Sequence, residues 1–208
     1  MPRPEVVTTE QWQAARDELL IAEKEATRAR DALAARRRRL PITEFPDTYT
    51  FQTPDGPQSL TDLFGGQDQL AVYQFMDNGP DDFCPGCTFL TGNVPAWGQR
   101  RLEEEGIRYV TVSNMPLQQI AGYWEQQGWT IPFASSRDTT FAKDCGADYF
   151  MLTMFLREDG KIYRTWNTTN RGVDHVNWLS NIADLSVYGR QEDWEDSPPG
   201  WPQHPTYG

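Results

Sequence analysis

Two of the three cysteines in this chain, Cys84 and Cys87, are separated by two residues, a spacing that lets two thiols alternate between a dithiol and a disulfide. The intervening Pro85 and Gly86 favour a tight turn that brings the sulfur atoms together. An apolar run over residues 70–76 comes before the pair and has the character of a buried strand. The residues after it can start a helix, whose free N–H groups and positive dipole end favour the thiolate of Cys84.

In the chemistry that this pattern predicts, the Cys84 thiolate attacks a substrate disulfide and Cys87 resolves the mixed disulfide. The reverse direction oxidises a substrate dithiol. The substrate is therefore a disulfide or a dithiol, in a protein or in a small molecule. We expect Phe83, Pro85 and Gly86, which adjoin the nucleophile, to form the surface that meets it.

Three acidic residues precede the pair. Asp77, at the end of the predicted strand, is a candidate buried carboxylate that takes a proton from Cys87, and its alternative role is that of a turn residue. Asp81 and Asp82 oppose the helix terminus and disfavour the thiolate of Cys84. Because a stabilised thiolate makes a disulfide more oxidising, these two residues predict a reductant rather than a strong oxidant.

The third cysteine, Cys145, is a candidate third redox partner or an inert core residue. A zinc site would need about four ligands, and besides the cysteines only His175 and His204 remain, without ligand spacing. We therefore expect no metal. A purely structural disulfide is disfavoured because such bonds are rare in the cytosol.

Composition narrows the class of protein. The chain has 208 residues, 38% of them hydrophobic, which is enough for a folded core. Residues 1–41 carry nine basic and seven acidic residues, whereas residues 42–208 carry ten and twenty-three. Because of its excess of acidic residues, the part of the chain over residues 42–208 would repel nucleic acids and anionic membranes. No apolar stretch is long enough to span a membrane and the N-terminus has no export signal, so we expect a cytoplasmic protein.

The pattern predicts one long helix over residues 8–40, within an N-terminal arm of residues 1–41. Thr8 and Gln11 have the spacing of a capping box, and Pro41 ends the run. Apolar residues recur at steps of three and four, as in a coiled coil, so the helix either pairs with its copy in a homodimer or lies along its own domain. These apolar positions are Trp12, Ala15, Leu19, Ala22, Ala26, Ala29 and Leu33.

The rest of the chain predicts an α/β domain over residues 42–188 and an extended acidic tail, rich in Pro and Trp, over residues 189–208. Right-handed crossovers make the first two long strands parallel, and a hairpin adds antiparallel strands. This is a thioredoxin-like fold with a mixed sheet of four or five strands and the dithiol at the carboxyl end of a central strand. The predicted elements are a short strand at 48–51, strand 70–76, a split helix after the dithiol, strand 107–112, helix 116–127, a short helix at 138–145, hairpin strands 149–156 and 161–166, and helix 174–185.

In their order along the chain, several motifs resemble a bacterial thioredoxin-like family that was named as a domain of unknown function and is described as predicted dithiol-disulfide oxidoreductases. The resemblance implies a thioredoxin-like fold with an N-terminal helical extension, Cys84 and Cys87 as the redox pair, and no bound organic cofactor. Two departures stand out: no proline falls at 148–150, before the hairpin, and the tail lacks a basic aromatic ending. The motifs are the Trp12 helix, Arg36 to Pro41, Phe51 with Asp55-Gly56, Cys84 to Phe89, Ser135-Ser136 before Phe141, and Trp194 to Pro202.

The predicted function is that of a thiol-disulfide oxidoreductase, with two alternatives. One is a redox-inactive thioredoxin-like module that binds a partner through its first helix or its tail. The other is a peroxidase that reduces peroxides at Cys84. Peroxiredoxins have Pro and Thr seven and three residues before their cysteine, whereas this chain has Asp77 and Asp81 there, which disfavours that alternative.

Overall fold

The structure, a computed structural model, describes residues 2–205. It divides into two compact units, one of residues 42–181 and one that joins residues 2–41 to residues 182–205. The C-terminal segment thus belongs with the first helix, an association that the sequence did not indicate. Met1 and the last three residues of the predicted tail lie outside the described residues.

Most of the predicted helices and strands are present, with boundaries shifted by one to three residues. The strands are β1 (Thr43–Phe45), β2 (Phe51–Thr53), β3 (Gly56–Gln58), β4 (Gln69–Phe75), β5 (Ile107–Ser113), β6 (Phe133–Ser135), β7 (Met151–Glu158) and β8 (Lys161–Thr168). The helices are α1 (Thr9–Arg37), α2 (Leu60–Leu63), α3 (Pro85–Gly92), α4 (Ala96–Glu104), α5 (Leu117–Gln127), α6 (Phe141–Cys145) and α7 (Trp178–Ala183), with a 3-10 helix at Asn170–Val176.

Strand β4 lies at the centre of the sheet. It pairs parallel to β5 and antiparallel to β7, and β7 forms the predicted hairpin with β8. Within residues 2–205 the sheet has eight strands in the order β1-β8-β7-β4-β5-β6-β2-β3, so the prediction of four or five was too low. The strands β1, β3 and β6, of three residues each, were missed.

The predicted helix over 174–185 is wrong in its first half. A 3-10 helix occupies Asn170–Val176, and Asn177 then adopts an extended conformation before α7 begins. The Asn177 side chain accepts a hydrogen bond from the N–H of Ser180 at 3.2 Å, as an N-terminal cap does.

Side chains of β4 alternate between two hydrophobic clusters. Leu70 and Val72 pack on one face with Phe155, whereas Tyr73 and Phe75 pack on the other face. Burial of one large apolar side chain stabilises a fold by about 1.5–3 kcal/mol, so both faces contribute to fixing β4. The end of β4, from which the dithiol loop leaves, is therefore held rigidly from both sides.

In the smaller unit, α1 begins with the predicted capping box. The Thr8 side chain accepts a hydrogen bond from the N–H of Gln11, and the Gln11 side chain accepts one from the N–H of Thr8. The Tyr188 hydroxyl donates to the carbonyl of Pro2 at 2.8 Å, and its ring packs against Trp201. Helix α1 contains no buried residue, and pairing of this helix with a second copy stays a prediction.

None of the helices in the described part of the chain has the length and apolar character needed to cross a membrane.

Candidate dithiol site

The dithiol occupies the start of α3, directly after the loop that leaves β4. Cys84 is the N-cap residue, and Pro85 takes the first helical position, where its fixed φ suits a helix and its missing N–H is not needed. One turn further on, Cys87 lies on the buried face of α3 together with Leu90 and Thr91. The sequence pattern predicted this arrangement, and the split between α3 and α4 follows it as expected.

Both thiols are free, and they contact each other through hydrogen bonds. The backbone N–H of Cys87 donates to the Cys84 sulfur at 3.3 Å, and the Cys87 thiol also donates to this sulfur. Cys84 is partly exposed, whereas Cys87 is fully buried. The first sulfur is therefore the one that a reactant can reach, and the second is positioned behind it.

The hydrogen bond from the Cys87 thiol is the largest of the influences that lower the pKa of Cys84, which falls to about 6 although burial acts against it. The backbone N–H groups of Cys87 and Gly86 act in the same direction as the Cys87 thiol. The charge of Asp82 raises the pKa, as predicted, but it is the weakest of these influences. Asp82 therefore disfavours the thiolate as expected, but the hydrogen bonds to the Cys84 sulfur outweigh its effect.

The pKa of Cys87 is shifted in the opposite direction. Its hydrogen bond to Cys84 and its burial raise the pKa of Cys87 well above the ordinary range. The hydroxyl of Tyr73, on β4 beneath the dithiol, forms a hydrogen bond with Cys87 that acts to lower this pKa. Burial raises the pKa of Tyr73 well above its ordinary value, so the phenol stays protonated and acts as a donor. Sequence reasoning missed Tyr73, because it reads as an ordinary core aromatic.

Asp77 is not the predicted buried carboxylate. Its side chain is exposed and accepts a hydrogen bond from the N–H of Gly79 at 3.0 Å, which is the geometry of a turn residue. The amide of Gln119 on α5 donates to the carbonyl of Gly79 at 2.9 Å and holds this turn in place. The polar group beside Cys87 is the phenol of Tyr73, within β4, and not the carboxylate of Asp77, which follows β4.

The residues predicted to form the substrate surface differ in exposure. Pro85 is exposed, whereas Phe83 is half-buried and stacks on Tyr123 with ring centroids 3.6 Å apart. The Tyr123 hydroxyl is 2.8 Å from the Thr88 hydroxyl, which donates to the carbonyl of Cys84 at 2.9 Å. Phe83 thus also fixes the dithiol loop, and its contact with a substrate stays a prediction, as do those of Pro85 and Gly86.

Cys145 lies apart from the dithiol. It ends α6 and packs in the cluster of Leu70 and Val72, on the face of β4 opposite to Cys87. Burial raises the pKa of Cys145 to about 12. These surroundings favour the protonated, unreactive form of the thiol.

Within residues 2–205, no three His, Cys, Asp or Glu side chains are grouped in a way that could hold a metal ion.

The strand order β8-β7-β4-β5, with a dithiol directly after the central parallel strand, defines a thioredoxin-like fold. The chain belongs to the family described as bacterial protein of unknown function (DUF899), whose profile matches residues 1–207. This confirms the resemblance that the sequence motifs indicated. A search of curated proteins found no match.

Solved structures similar to this chain include thioredoxin-like proteins and a peroxidoxin. An uncharacterized thioredoxin-like protein from Porphyromonas gingivalis is 15% identical, with 71% of this chain and 94% of that chain covered and a TM-score of 0.49. A proposed protein disulfide isomerase from Bacteroides thetaiotaomicron is 15% identical, with 66% and 86% covered and a TM-score of 0.47. Peroxidoxin BcpB from Mycobacterium tuberculosis is 15% identical, with 59% and 82% covered and a TM-score of 0.43. Similarities at this level do not bear on activity.

Proposed function

We propose that the protein is a thiol-disulfide oxidoreductase in which Cys84 is the nucleophile and Cys87 the resolving thiol. The observation that carries this proposal is the position of the two cysteines at the start of α3. The Cys84 sulfur is accessible and accepts a hydrogen bond from the N–H of Cys87 at 3.3 Å, while the Cys87 sulfur is buried one turn further on. A thiolate at Cys84 is the form that attacks a disulfide, and its lowered pKa makes this form dominant at neutral pH.

In the first step, the Cys84 thiolate attacks one sulfur of a substrate disulfide. A bond forms between Cys84 and that sulfur, and the other substrate sulfur leaves as a thiolate that takes a proton from solvent. Cys87 then attacks the Cys84 sulfur, its proton passes to the departing substrate sulfur, and the second half of the substrate leaves as a thiol. Two electrons pass to the substrate, and the protein is left with a disulfide between Cys84 and Cys87. A dithiol reductant then restores the starting state.

The hydrogen bond between the thiols gives these steps their order. While Cys84 is a thiolate, it accepts a hydrogen bond from Cys87 and keeps that thiol protonated. Once Cys84 is bound in the mixed disulfide, its negative charge is gone and the largest influence raising the pKa of Cys87 disappears. Tyr73 then donates to the forming Cys87 thiolate. Resolution is thereby favoured only after attack has occurred.

Reduction of insulin in the presence of dithiothreitol tests this function. The native protein should accelerate the reaction, Cys84→Ala should abolish the acceleration, and the matched control Cys145→Ala should retain it. Equal rates for the native protein and Cys84→Ala would indicate the redox-inactive binding module instead. Consumption of hydrogen peroxide by Cys87→Ala, without activity on disulfides in the native protein, would indicate the peroxidase alternative.

A further inference from the structure

Two carboxylates come directly before the accessible thiol. Asp81 and Asp82 are exposed, in the loop that leads into the dithiol. Within residues 2–205, neither side chain forms a hydrogen bond or an ion pair, and neither caps α3, whose N-cap is Cys84 itself. The charge of Asp82 nevertheless acts on the Cys84 sulfur, since it raises the pKa of that thiol. The loop therefore adds negative charge at the atom that reacts.

The surrounding elements bring little positive charge to balance these carboxylates. From residue 40 to residue 99 the sequence contains no Lys, Arg or His, and α5, which packs in the same hydrophobic cluster as Cys87, contains none either. The 3-10 helix also packs in this cluster and carries Arg171 and His175. Arg171 is ion-paired with Asp174 at 3.3 Å, and the ring of His175 packs against Trp166.

Negative charge around a thiolate sorts disulfides by their own charge. The Cys84 thiolate and the two carboxylates repel an anionic disulfide and attract a cationic one, and fields of this kind change association rates by about 10-fold to 1,000-fold at low ionic strength. We propose that Asp81 and Asp82 make Cys84 selective for disulfides that carry positive charge beside their sulfur atoms. This inference rests on the proposed function and names the class of substrate for that site.

The selectivity belongs to the first attack. The Cys84 thiolate bonds to one substrate sulfur, and the other sulfur leaves with the electron pair of the broken bond and takes a proton from solvent. The charges of the substrate meet Asp81 and Asp82 during encounter and attack, so the rate constant of this step should depend on them. Resolution by Cys87 takes place within the mixed disulfide and needs no second encounter.

Two peptides with the same leaving group test the proposal. Each has blocked ends and one cysteine in a disulfide with thiopyridine, flanked on both sides by Lys in one peptide and by Glu in the other. Attack by Cys84 releases pyridinethione, whose absorbance gives the rate constant in a stopped-flow experiment. At pH 8, about two units above the pKa of Cys84, the thiol is ionised in every variant, so the rates compare charge alone.

The native protein should attack the Lys peptide about tenfold faster than the Glu peptide at low ionic strength, and added salt should reduce this ratio. Asp81→Asn combined with Asp82→Asn should lower the ratio about fivefold and leave the part that is due to the thiolate. Asn suits the φ of 58° at position 81. The matched control, Asp55→Asn with Asp159→Asn, removes the same charge from exposed turns at the opposite edge of the sheet and should keep the native ratio.

Equal rates for the two peptides with the native protein, or a native ratio in the Asp81 and Asp82 double variant, would overturn the selection by charge. The proposed function would survive either result, because Cys84 would still release pyridinethione. Absence of release from both peptides would contradict the proposed function and this inference together. Cysteamine thiopyridyl disulfide, a small cationic probe, separates two sources of the charge: attack as fast as on the Lys peptide indicates a small molecule, and slower attack indicates a basic polypeptide.

Discussion

The start of α3 and the end of α6 each place a cysteine in the same domain, with opposite results. Cys84 caps the beginning of its helix, where the N–H groups of Gly86 and Cys87 and a second thiol lower its pKa to about 6. Cys145 ends its helix, and burial raises its pKa to about 12. The difference teaches that a thiol becomes reactive where the groups that lower its pKa outweigh burial, as they do at Cys84 and do not at Cys145.

The largest expected effect distinguishes the two cysteines directly. In the native, reduced protein, iodoacetamide should modify Cys84 rapidly at pH 7 and Cys145 only after unfolding, because only the first is an accessible thiolate. Peptide mass spectrometry after short exposure measures this selectivity. Equal labelling of both residues in the folded protein would show that the two environments do not differ as described.

A second prediction concerns the pH dependence of Cys84. Because the thiolate is the reactive form, its alkylation rate should rise with pH, reach half its maximum near pH 6 and level off above it. In Cys87→Ala the strongest influence that lowers this pKa is lost, so the midpoint should move up toward the ordinary thiol value of about 8.5. Cys145→Ala serves as the control and should keep the native midpoint. A midpoint that Cys87→Ala leaves in place would contradict the role of the thiol hydrogen bond.

A third prediction concerns Tyr73. In Tyr73→Phe the forming Cys87 thiolate loses a donor worth about 1.5 kcal/mol, so resolution of the mixed disulfide should slow about tenfold. The first attack by Cys84 should keep its rate. Stopped-flow measurement of both phases with a chromogenic disulfide separates the two steps, and Tyr163→Phe on β8 is the matched control. Equal slowing of both phases would point to a general disturbance of the domain.

The smallest effect belongs to the region around Cys145. Replacement of the buried amide in Gln74→Leu should raise the free energy of unfolding by about 1 kcal/mol, measured by urea denaturation. The neighbouring replacement Thr153→Val, which also removes a buried hydroxyl without a partner, should act in the same direction. Destabilisation by both variants would mean that these groups are hydrogen-bonded in solution.

The sequence predicted those parts of the molecule that depend on local pattern. The Cys84–Cys87 spacing with Pro85 placed the dithiol at a helix start, and the apolar runs placed β4 and β5 side by side. These features follow from turn chemistry and from hydrophobic periodicity, which act over a few residues.

Features that depend on distant contacts could not be predicted in this way. The charges of Asp81 and Asp82 were visible in the sequence, but the hydrogen bonds that outweigh them form only in the folded loop. Tyr73 reads as an ordinary residue of an apolar strand, and only the packed sheet shows that its hydroxyl lies against the Cys87 sulfur. The hydrogen bond from the Tyr188 hydroxyl to the carbonyl of Pro2 likewise joins residues far apart in the chain.

The central claim is that Cys84 and Cys87 form one two-electron redox pair, and equilibrium titration against glutathione with thiol-labelling mass spectrometry tests it most directly. A pKa of about 6 for Cys84 lies between the thiol pKa values of thioredoxin and DsbA. The account therefore predicts joint oxidation of both residues at a potential between about −270 and −120 mV, with Cys145 remaining reduced. Independent oxidation of the two thiols, or thiols that stay free throughout the titration, would contradict it.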